Sequence, residues 1–470
     1  MPSTFLGISI GNSALQAAQT AENVVGHNIA NANTPGYSEQ TANLVESYPF
    51  TPTDGQTQLH PGQIGTGVSV SSITRATDQF TTAQLRDAYG NQSYNNSKQG
   101  ALDQVQSVFN EPSTTGLNNA MGSFFQSFQD VANNPSDPGV RASVIQNGVA
   151  LSQIFHNMAQ QLTDVSNGLN TRLSTDITLL NNYGKQIASL NGQINESLGT
   201  GQQPNDLMDQ RDQLIDAVSK LGNVTATTMP NGMVNVSVGN TDLVVGIDSY
   251  TATTTSLQAN HSLNGGEIAA ILDSQAAVSG YQSNLDNLAG QVVSAVNSVQ
   301  FSGSDLYGNT GDPSDPLNTN PGTPFFATAG TNASTINVSL NLQNDPKLLA
   351  ASAAGTPGTP PPPGDGSNAS NFAALSKASL AGLNGQTPQQ FYQAMVSGVG
   401  AAAAAAKTAS SSATVTVTQL TQQKQSVTGV STDDEMVNMM KYQTAYQAAA
   451  RFISTSNSML GTLINGLFGN

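Results

Sequence analysis

The chain has 470 residues, enough at about 150 per domain for roughly three domains with a sizeable core. Only 9% are Asp, Glu, Lys or Arg, against a usual ~25%, so the surfaces are polar but mostly neutral. With 14 basic and 30 acidic residues the net charge is −16, and no basic cluster occurs. That balance excludes nucleic-acid binding through phosphate neutralisation and disfavours an anionic membrane surface. Cysteine is absent, which removes disulfides, thiolate zinc sites and cysteine nucleophiles. The first basic residue is Arg75, so no Sec-type signal peptide is expected. No apolar run approaches the ~18 residues of a membrane-spanning helix, so no membrane insertion is expected.

In chain order, residues 4–31 read as a helix with a thin apolar seam: Ile8, Leu15, Ala18, Val25, Ile29 and Ala32. Gly11 and Glu22 fill two slots of the same series, which weakens it. Asn33-Thr34-Pro35-Gly36 stops this helix. Extended segments follow over 40–75, ending in the alternating stretch Gly67–Ile73. From about Asp78 to Leu221 the pattern is helical, with its longest piece from Ile154 to Leu198. At 1.5 Å per residue that piece would be roughly 65 Å long, which suits a bundle or coiled-coil shaft.

Pro230-Asn231-Gly232 lies between Val224–Thr228 and Met233–Val238, which predicts a hairpin. Another helix runs from about Gly266 to Val299. Residues 302–370 are rich in Gly, Pro, Asn, Ser and Thr and carry Pro360 to Pro363, reading as a loop-rich insertion. Helix resumes near Pro388, through Ala401–Ala406 and a β-branched patch at Ala413–Val417. In the last element, Thr432 and Glu435 fit a capping box. Its seam runs Met436, Met439, Gln443, Tyr446, Ala450, Ile453, Asn457, Leu460, Ile464, Leu467, as in a coiled-coil strand.

Both ends are therefore helices with one-sided seams that need neighbours to be buried. The expected fold is mainly α: a long helical bundle or coiled-coil shaft with paired terminal helices, small β-hairpin elements and a loop-rich insertion. Its divisions would be a terminal coiled-coil domain (1–38 and 425–470), an elongated helical core (39–301 and 375–424, hairpin near 224–246) and the insertion (302–374). Assembly driven by seam burial follows from that arrangement.

Candidate chemical sites are weak. Asp206, Asp209 and Asp212 share part of one helix face, yet a capping role for Asn205 or Asp206 and an Arg211–carboxylate pair explain them without a second catalytic group. Asp305, Asn309 and Asp312 do not follow the ligand spacing of a calcium loop. His27, His60, His156 and His261 form no metal-ligating pair. Gly62, Gly65 and Gly67 lack the strand and Lys-Ser/Thr of a phosphate loop. Met436, Met439 and Met440 read as seam residues rather than a soft-metal box. Tyr442 and Tyr446 stack one turn apart and suit either an internal or a subunit interface. No catalytic, cofactor or metal site is expected.

The run Asn28-Ile29-Ala30-Asn31-Ala32-Asn33-Thr34-Pro35-Gly36-Tyr37-Ser38 resembles the N-terminal motif of flagellar rod, hook and hook-associated proteins. Asp434-Glu435-Met436, with Tyr442-Gln443, Ala445-Tyr446-Gln447-Ala448-Ala449 and Arg451, resembles their C-terminal motif. Within this axial family, the interior is similar to the first hook-associated proteins. The landmarks are Val108–Pro112 with Gly116-Leu117, Asn134–Asp137 with Arg141, Asn205–Leu207 with Asp209 and Arg211-Asp212, Val296-Asn297, and Gly303, Asp305 and Gly308 with Phe325-Phe326. Glu22, His27 and Gln300 depart from that pattern.

The resemblance implies a structural, non-enzymatic component of the bacterial flagellum that joins hook to filament. Its partners would be copies of itself in a ring, hook protein below, the next hook-associated protein above, and an export chaperone on the C-terminal helix. It would be extracellular, exported through the flagellar type III channel without a Sec signal. Combined with the two seams, it nominates an assembly interface of Ile8, Leu15, Val25, Asn28, Ile29, Asn31, Thr34, Pro35, Gly36, Tyr37, Met436, Met439, Tyr442, Tyr446, Ala450, Ile453, Leu460 and Ile464. Alternatives are another axial component (hook or flagellin-like), or a surface adhesin or hydrolase using 302–370.

Overall fold

A computed structural model describes residues 5–49, 65–259, 263–314, 318–329 and 331–468. His60, Gly62 and His261 lie outside the described residues, as does the side chain of Leu467. Of the described residues 67% are helical, with a few small antiparallel sheets. It divides into two compact units: residues 1–92, 177–266 and 413–470 form one, and 93–176 with 267–412 form the other. Three long helices pass from one unit to the other within their length, and a fourth leaves only its first residue, Gly266, in the first unit.

In the first unit, α1 (Leu6–Asn31) is followed by β1 (Gln40–Glu46) and β2 (Val68–Arg75), an antiparallel pair with a bulge after Asn43. The unit includes the start of α2 (Gln79–Phe109) and the end of α4 (Pro138–Gly199). Helix α5 (Asn205–Leu221) leads into β3 (Val224–Thr228), β4 (Val234–Val238), β5 (Thr241–Val245) and β6 (Asp248–Ser249). These four strands form one antiparallel meander, so the predicted hairpin is its first half, with Thr228 opposite Val234. A short α6 (Thr254–Ala259), the end of α10 (Pro388–Thr428) and α11 (Thr432–Phe468) complete it.

Alternation explains the meander. Val234, Val236 and Val238 are buried on one face of β4, while Asn235 and Ser237 face the other way. Arg211 locks the sheet to the helices: its guanidinium donates to Gly232 O (2.7 Å) and to Asn191 Oδ1 (3.1 Å). Arg211 was expected to pair with a carboxylate. It does not, because its residue is buried against backbone carbonyls of the sheet turn instead.

The second unit holds the rest of α2 and α4, α3 (Leu117–Asn133), α7 (Gly266–Ser302) from Glu267 on, and most of α10. Two-residue strands β7 (Gly303–Ser304) and β8 (Ser352–Ala353) pair, and α8 (Leu340–Asn344) and α9 (Ser367–Ala374) are short. Helix α4 has 62 residues and starts sixteen residues before the expected Ile154. The signal was the Asp137-Pro138 pair: Asp137 Oδ1 accepts from Gly139 N at 2.7 Å, and proline sits at the first helical position.

Residues 302–374 were expected as a loop-rich insertion. Their described part is irregular but packed, because most of its large apolar residues are placed inward, Leu340 and Tyr307 excepted. Phe325 and Phe326 are fully buried against Phe124, and Phe372 stacks on Phe128 at 4.3 Å. Arg141 ties the segment down by donating to Leu349 O (2.6 Å) and Pro135 O (2.5 Å). Gln300 donates to Thr323 O and Leu348 O, both at 2.9 Å.

Candidate assembly interface

Helices α1 and α11 pack antiparallel. Gly11 lies against Ile453 and Phe452, Gln443 donates to Glu22 Oε1 at 3.1 Å, and Asn28 meets Glu435. Small side chains permit the close approach: Gly11, Ala17, Ala18 and Ala21 are buried, with Val24 and Val25. A Cβ on Gly11 would come within 2.6 Å of Ile453 Cγ1, so this slot is a close-packing position rather than a weak point of the seam. Ile8, Leu15 and Ile29 are half-buried. The buried face is wider than the predicted seam, because Ala21 and Val24 also pack on the β1–β2 pair through Ala42, Val70 and Ile73.

On α11 the inward face carries Glu435, Met439, Tyr442, Tyr446, Ala449, Ala450, Ile453 and Leu460, all buried or half-buried. Met436 was expected in the seam. It is instead 58% exposed, because Glu435 takes the inward position in that turn. Ile464 is also exposed. A second apolar face of α11 is open to solvent: Val437, Met440 and Met459 are at least 60% exposed, with Leu463 also exposed.

The capping box is not formed as expected. Ser431 precedes the helix, its Oγ accepting from Asp434 N at 3.4 Å, while the Glu435 carboxylate turns toward α1. There Asn28 uses its full hydrogen-bonding capacity. Its Nδ2 donates to Glu435 Oε1 (3.0 Å) and Gln40 O (2.8 Å); its Oδ1 accepts from Gln40 N (3.0 Å) and the Tyr37 hydroxyl (2.7 Å). One asparagine thus joins α1, the turn, β1 and α11. Burial raises the Glu435 carboxyl above its ordinary range, and the nearby Glu39 and Asp434 charges add to this. Burial likewise raises the Tyr37 phenol, with the Asp206 and Asp209 charges reinforcing it.

The turn between α1 and β1 is of type II: Tyr37 N donates to Thr34 O, Pro35 leads, and Gly36 has φ +77°. Gly36 is also needed for space, since a Cβ there would lie 2.5 Å from Gln213 Cγ. Asn31 Oδ1 accepts from the Thr34 hydroxyl at 3.1 Å, bracing the helix end. Thr34, Pro35 and Gly36 are exposed.

Beneath the turn, Asp209, Asp212 and Asp216 meet cations from three other elements. Arg75 reaches Asp209 (2.6 Å) and Asp212 (2.7 Å), Arg86 reaches Asp216 (2.6 Å), and Lys424 reaches Asp216 (3.3 Å). Ser38 adds two hydrogen bonds to Asp209, both at 3.0 Å. Asp206 accepts from Gln40 Nε2 at 2.8 Å and faces His27 at 3.4 Å. Arg75, Arg86, Asp209, Asp212, Asp216 and Lys424 line a cleft of about 370 Å³. Its carboxylate oxygens are engaged by guanidinium, ammonium and hydroxyl groups, so the arrangement holds β2, α2, α5 and α10 together and leaves no free ligand set for a cation. The Asp305 carboxylate similarly orders its own loop, accepting from Tyr307 N and Asn309 N.

The sequence pattern did not reveal the Asn28–Glu435 link, whose partners are 407 residues apart. The signal available was the run of asparagines ending α1, residues that are unfavourable in a helix unless their side chains are committed elsewhere.

Three family models match the chain. Residues 102–314 match the flagellar hook-associated protein FlgK helical domain. Residues 8–37 match the flagella basal body rod protein, and 421–466 the flagellar basal body rod FlgEFG protein C-terminal. Flagellar hook-associated protein 1 of Bacillus subtilis is 28% identical, the match covering 99% of each chain. Its namesake from Salmonella typhimurium is 35% identical over 48% of this chain, which spans 40% of that relative's length. The solved flagellar hook junction protein FlgK from Burkholderia pseudomallei has a similar fold, with a TM-score of 0.61, 18% identity, and coverage of 74% of this chain and all of that one.

Proposed function

We infer that this chain, which belongs to the flagellar hook-associated protein 1 family, is a structural component of the bacterial flagellum that joins hook to filament. The observation that carries the reading is the pairing of the two terminal helices with a second apolar face of α11 left exposed. A lone chain gains nothing from that face, whereas copies packed side by side in a tube would bury it. The match of 102–314 to the FlgK helical domain supports this reading over a hook or flagellin role.

In the assembled state, α1 and α11 line the inner tube of a ring of copies. Hook protein lies below the ring and the next hook-associated protein above it. Met436, Val437, Met440 and Met459 then contact neighbouring copies, while Ile8, Leu15, Val25, Ile29, Met439, Tyr442, Tyr446, Ala450, Ile453 and Leu460 hold the pair itself. Asn28, Asn31, Thr34, Pro35, Gly36 and Tyr37 fix the angle at which the pair leaves the body. Before assembly the open α11 face is held by an export chaperone, and the chain leaves the cell through the flagellar export channel without a Sec signal.

Deletion of the gene, followed by electron microscopy of the cells and a flagellin assay on the medium, tests this. Hooks without filaments and released flagellin are expected. Intact filaments would overturn the role.

A further inference from the structure

We propose that α2, α4 and α10 each carry a compliant section, at about residues 90–100, 170–178 and 408–418, where the helix opens and bends more readily than on either side. Each section contains a point at which the chain passes from one compact unit to the other: Gln92/Ser93, Asp176/Ile177 and Ser412/Ala413.

Three observations support this, each at two of the three sections. The first is composition. In α10, Ser410-Ser411-Ser412 and Thr414-Val415-Thr416-Val417-Thr418 place weak helix formers in succession inside a 41-residue helix. In α2, Gly90 and Gly100 bracket Asn91, Ser93, Asn95, Asn96 and Ser97. The helix survives there because the flanking turns hold it, not because the local sequence favours it.

The second is competition for the backbone. In α4, the hydroxyls of Thr171, Ser174 and Thr175 donate to the carbonyls of Asn167, Asn170 and Thr171, each at 3.0 Å. Thr418 does the same to Thr414 O at 2.9 Å in α10. Hydroxyl bonds of this kind share carbonyls with the helix ladder and ease bending; in α4 three fall between Thr171 and Thr175, against those of Ser152 and Thr163 over 150–165.

The third is the lack of apolar anchoring in α2 and α10; in α4, Leu173 is buried within the section. Among the described residues, α2 buries no apolar side chain between Ala88 and Ala101, and α10 buries none after Ala406. What lies inside is polar and partly unpartnered: Ser97 Oγ, Ser274 Oγ and Asp176 Oδ2 are buried without a hydrogen-bond partner. The links made there are side chain to side chain, as between Ser410 and Asn96 (2.6 Å) and between Gln92 and Thr414 (3.1 Å). Such bonds exchange for water at little cost, so local opening is easier than at packed leucines and phenylalanines.

Amide hydrogen exchange on the full-length protein, read by mass spectrometry, tests this. Peptides over 90–100, 170–178 and 408–418 are expected to exchange at least about 10-fold faster than peptides over 82–89, 150–165 and 392–405. A triple variant at exposed positions, Ser411→Ala with Val415→Ala and Thr418→Ala, raises helix propensity without touching the core. It is expected to slow exchange across 408–418 by about 3- to 10-fold and to leave 392–405 unchanged. Protection in these sections equal to or above that of their flanks overturns the proposal. So does a triple variant whose exchange matches the parent.

Discussion

At the residue scale, Asn28 shows how one side chain can carry a motif. Its four hydrogen bonds reach α1's neighbours β1, the type II turn and α11, so alanine there would strand two buried backbone groups and the Glu435 carboxylate. We expect Asn28→Ala to lower stability by about 2–4 kcal/mol in urea unfolding; a loss below about 0.5 kcal/mol would mean the cluster is redundant. Asp176 offers a pH test. Burial, with the Glu267 charge beside it, raises its carboxyl from the usual 3.8 to about 7. The folded state therefore binds this proton more tightly than the unfolded chain, and stability is gained as pH falls through about 7 toward 4. Asp176→Asn removes that gain. The Tm of the parent should rise relative to the variant by about 2–4 °C between pH 8 and pH 5, and parallel curves would place the proton elsewhere. Asp212 has the opposite sign, since Arg75 and Arg86 beside it lower its carboxyl despite burial, so its contribution is lost only in strong acid.

At the element scale, α1 and α11 depend on each other. Their contact is built on small residues, so it responds to volume as well as polarity. Gly11→Ala should destabilise the pair by about 1–3 kcal/mol through overlap with Ile453. Adding Ile453→Ala should recover part of that loss, a coupling that a double-mutant cycle measures directly. Ile453→Asp buries a charge without a partner and should abolish incorporation into flagella while leaving the second unit folded, as judged by its near-UV aromatic signal. Leu460→Asp, at another half-buried position of the same face, should behave likewise. Normal filaments from either variant would displace the proposed seam.

At the scale of the whole molecule, the two units rest on different chemistry. The second is held by a phenylalanine cluster, the first by small-residue packing and an Arg–Asp–Lys network. We therefore expect amides of α1 and α11 to exchange before those of α3 in the free protein, even though the terminal helices are seated on each other. Equal protection would mean that the pair opens only with global unfolding.

The helices, the hairpin at Pro230-Asn231-Gly232, the paired ends and the family motifs were legible because each rests on local periodicity, turn chemistry or a short run of residues. The 62-residue length of α4 was legible only in part, since its start depends on one capping aspartate and a proline. Tertiary structure alone decided three things. It turned Glu435 from its own helix terminus to Asn28, because a buried donor on a distant helix outweighs a solvent-exposed cap. It drew Phe325 and Phe326 inward, making the irregular stretch part of a core, because two large aromatics gain more by burial than the loop loses in freedom. And it set Met436 outward and Glu435 inward, because in an amphipathic helix with apolar residues on two faces, periodicity does not say which face meets the neighbouring helix.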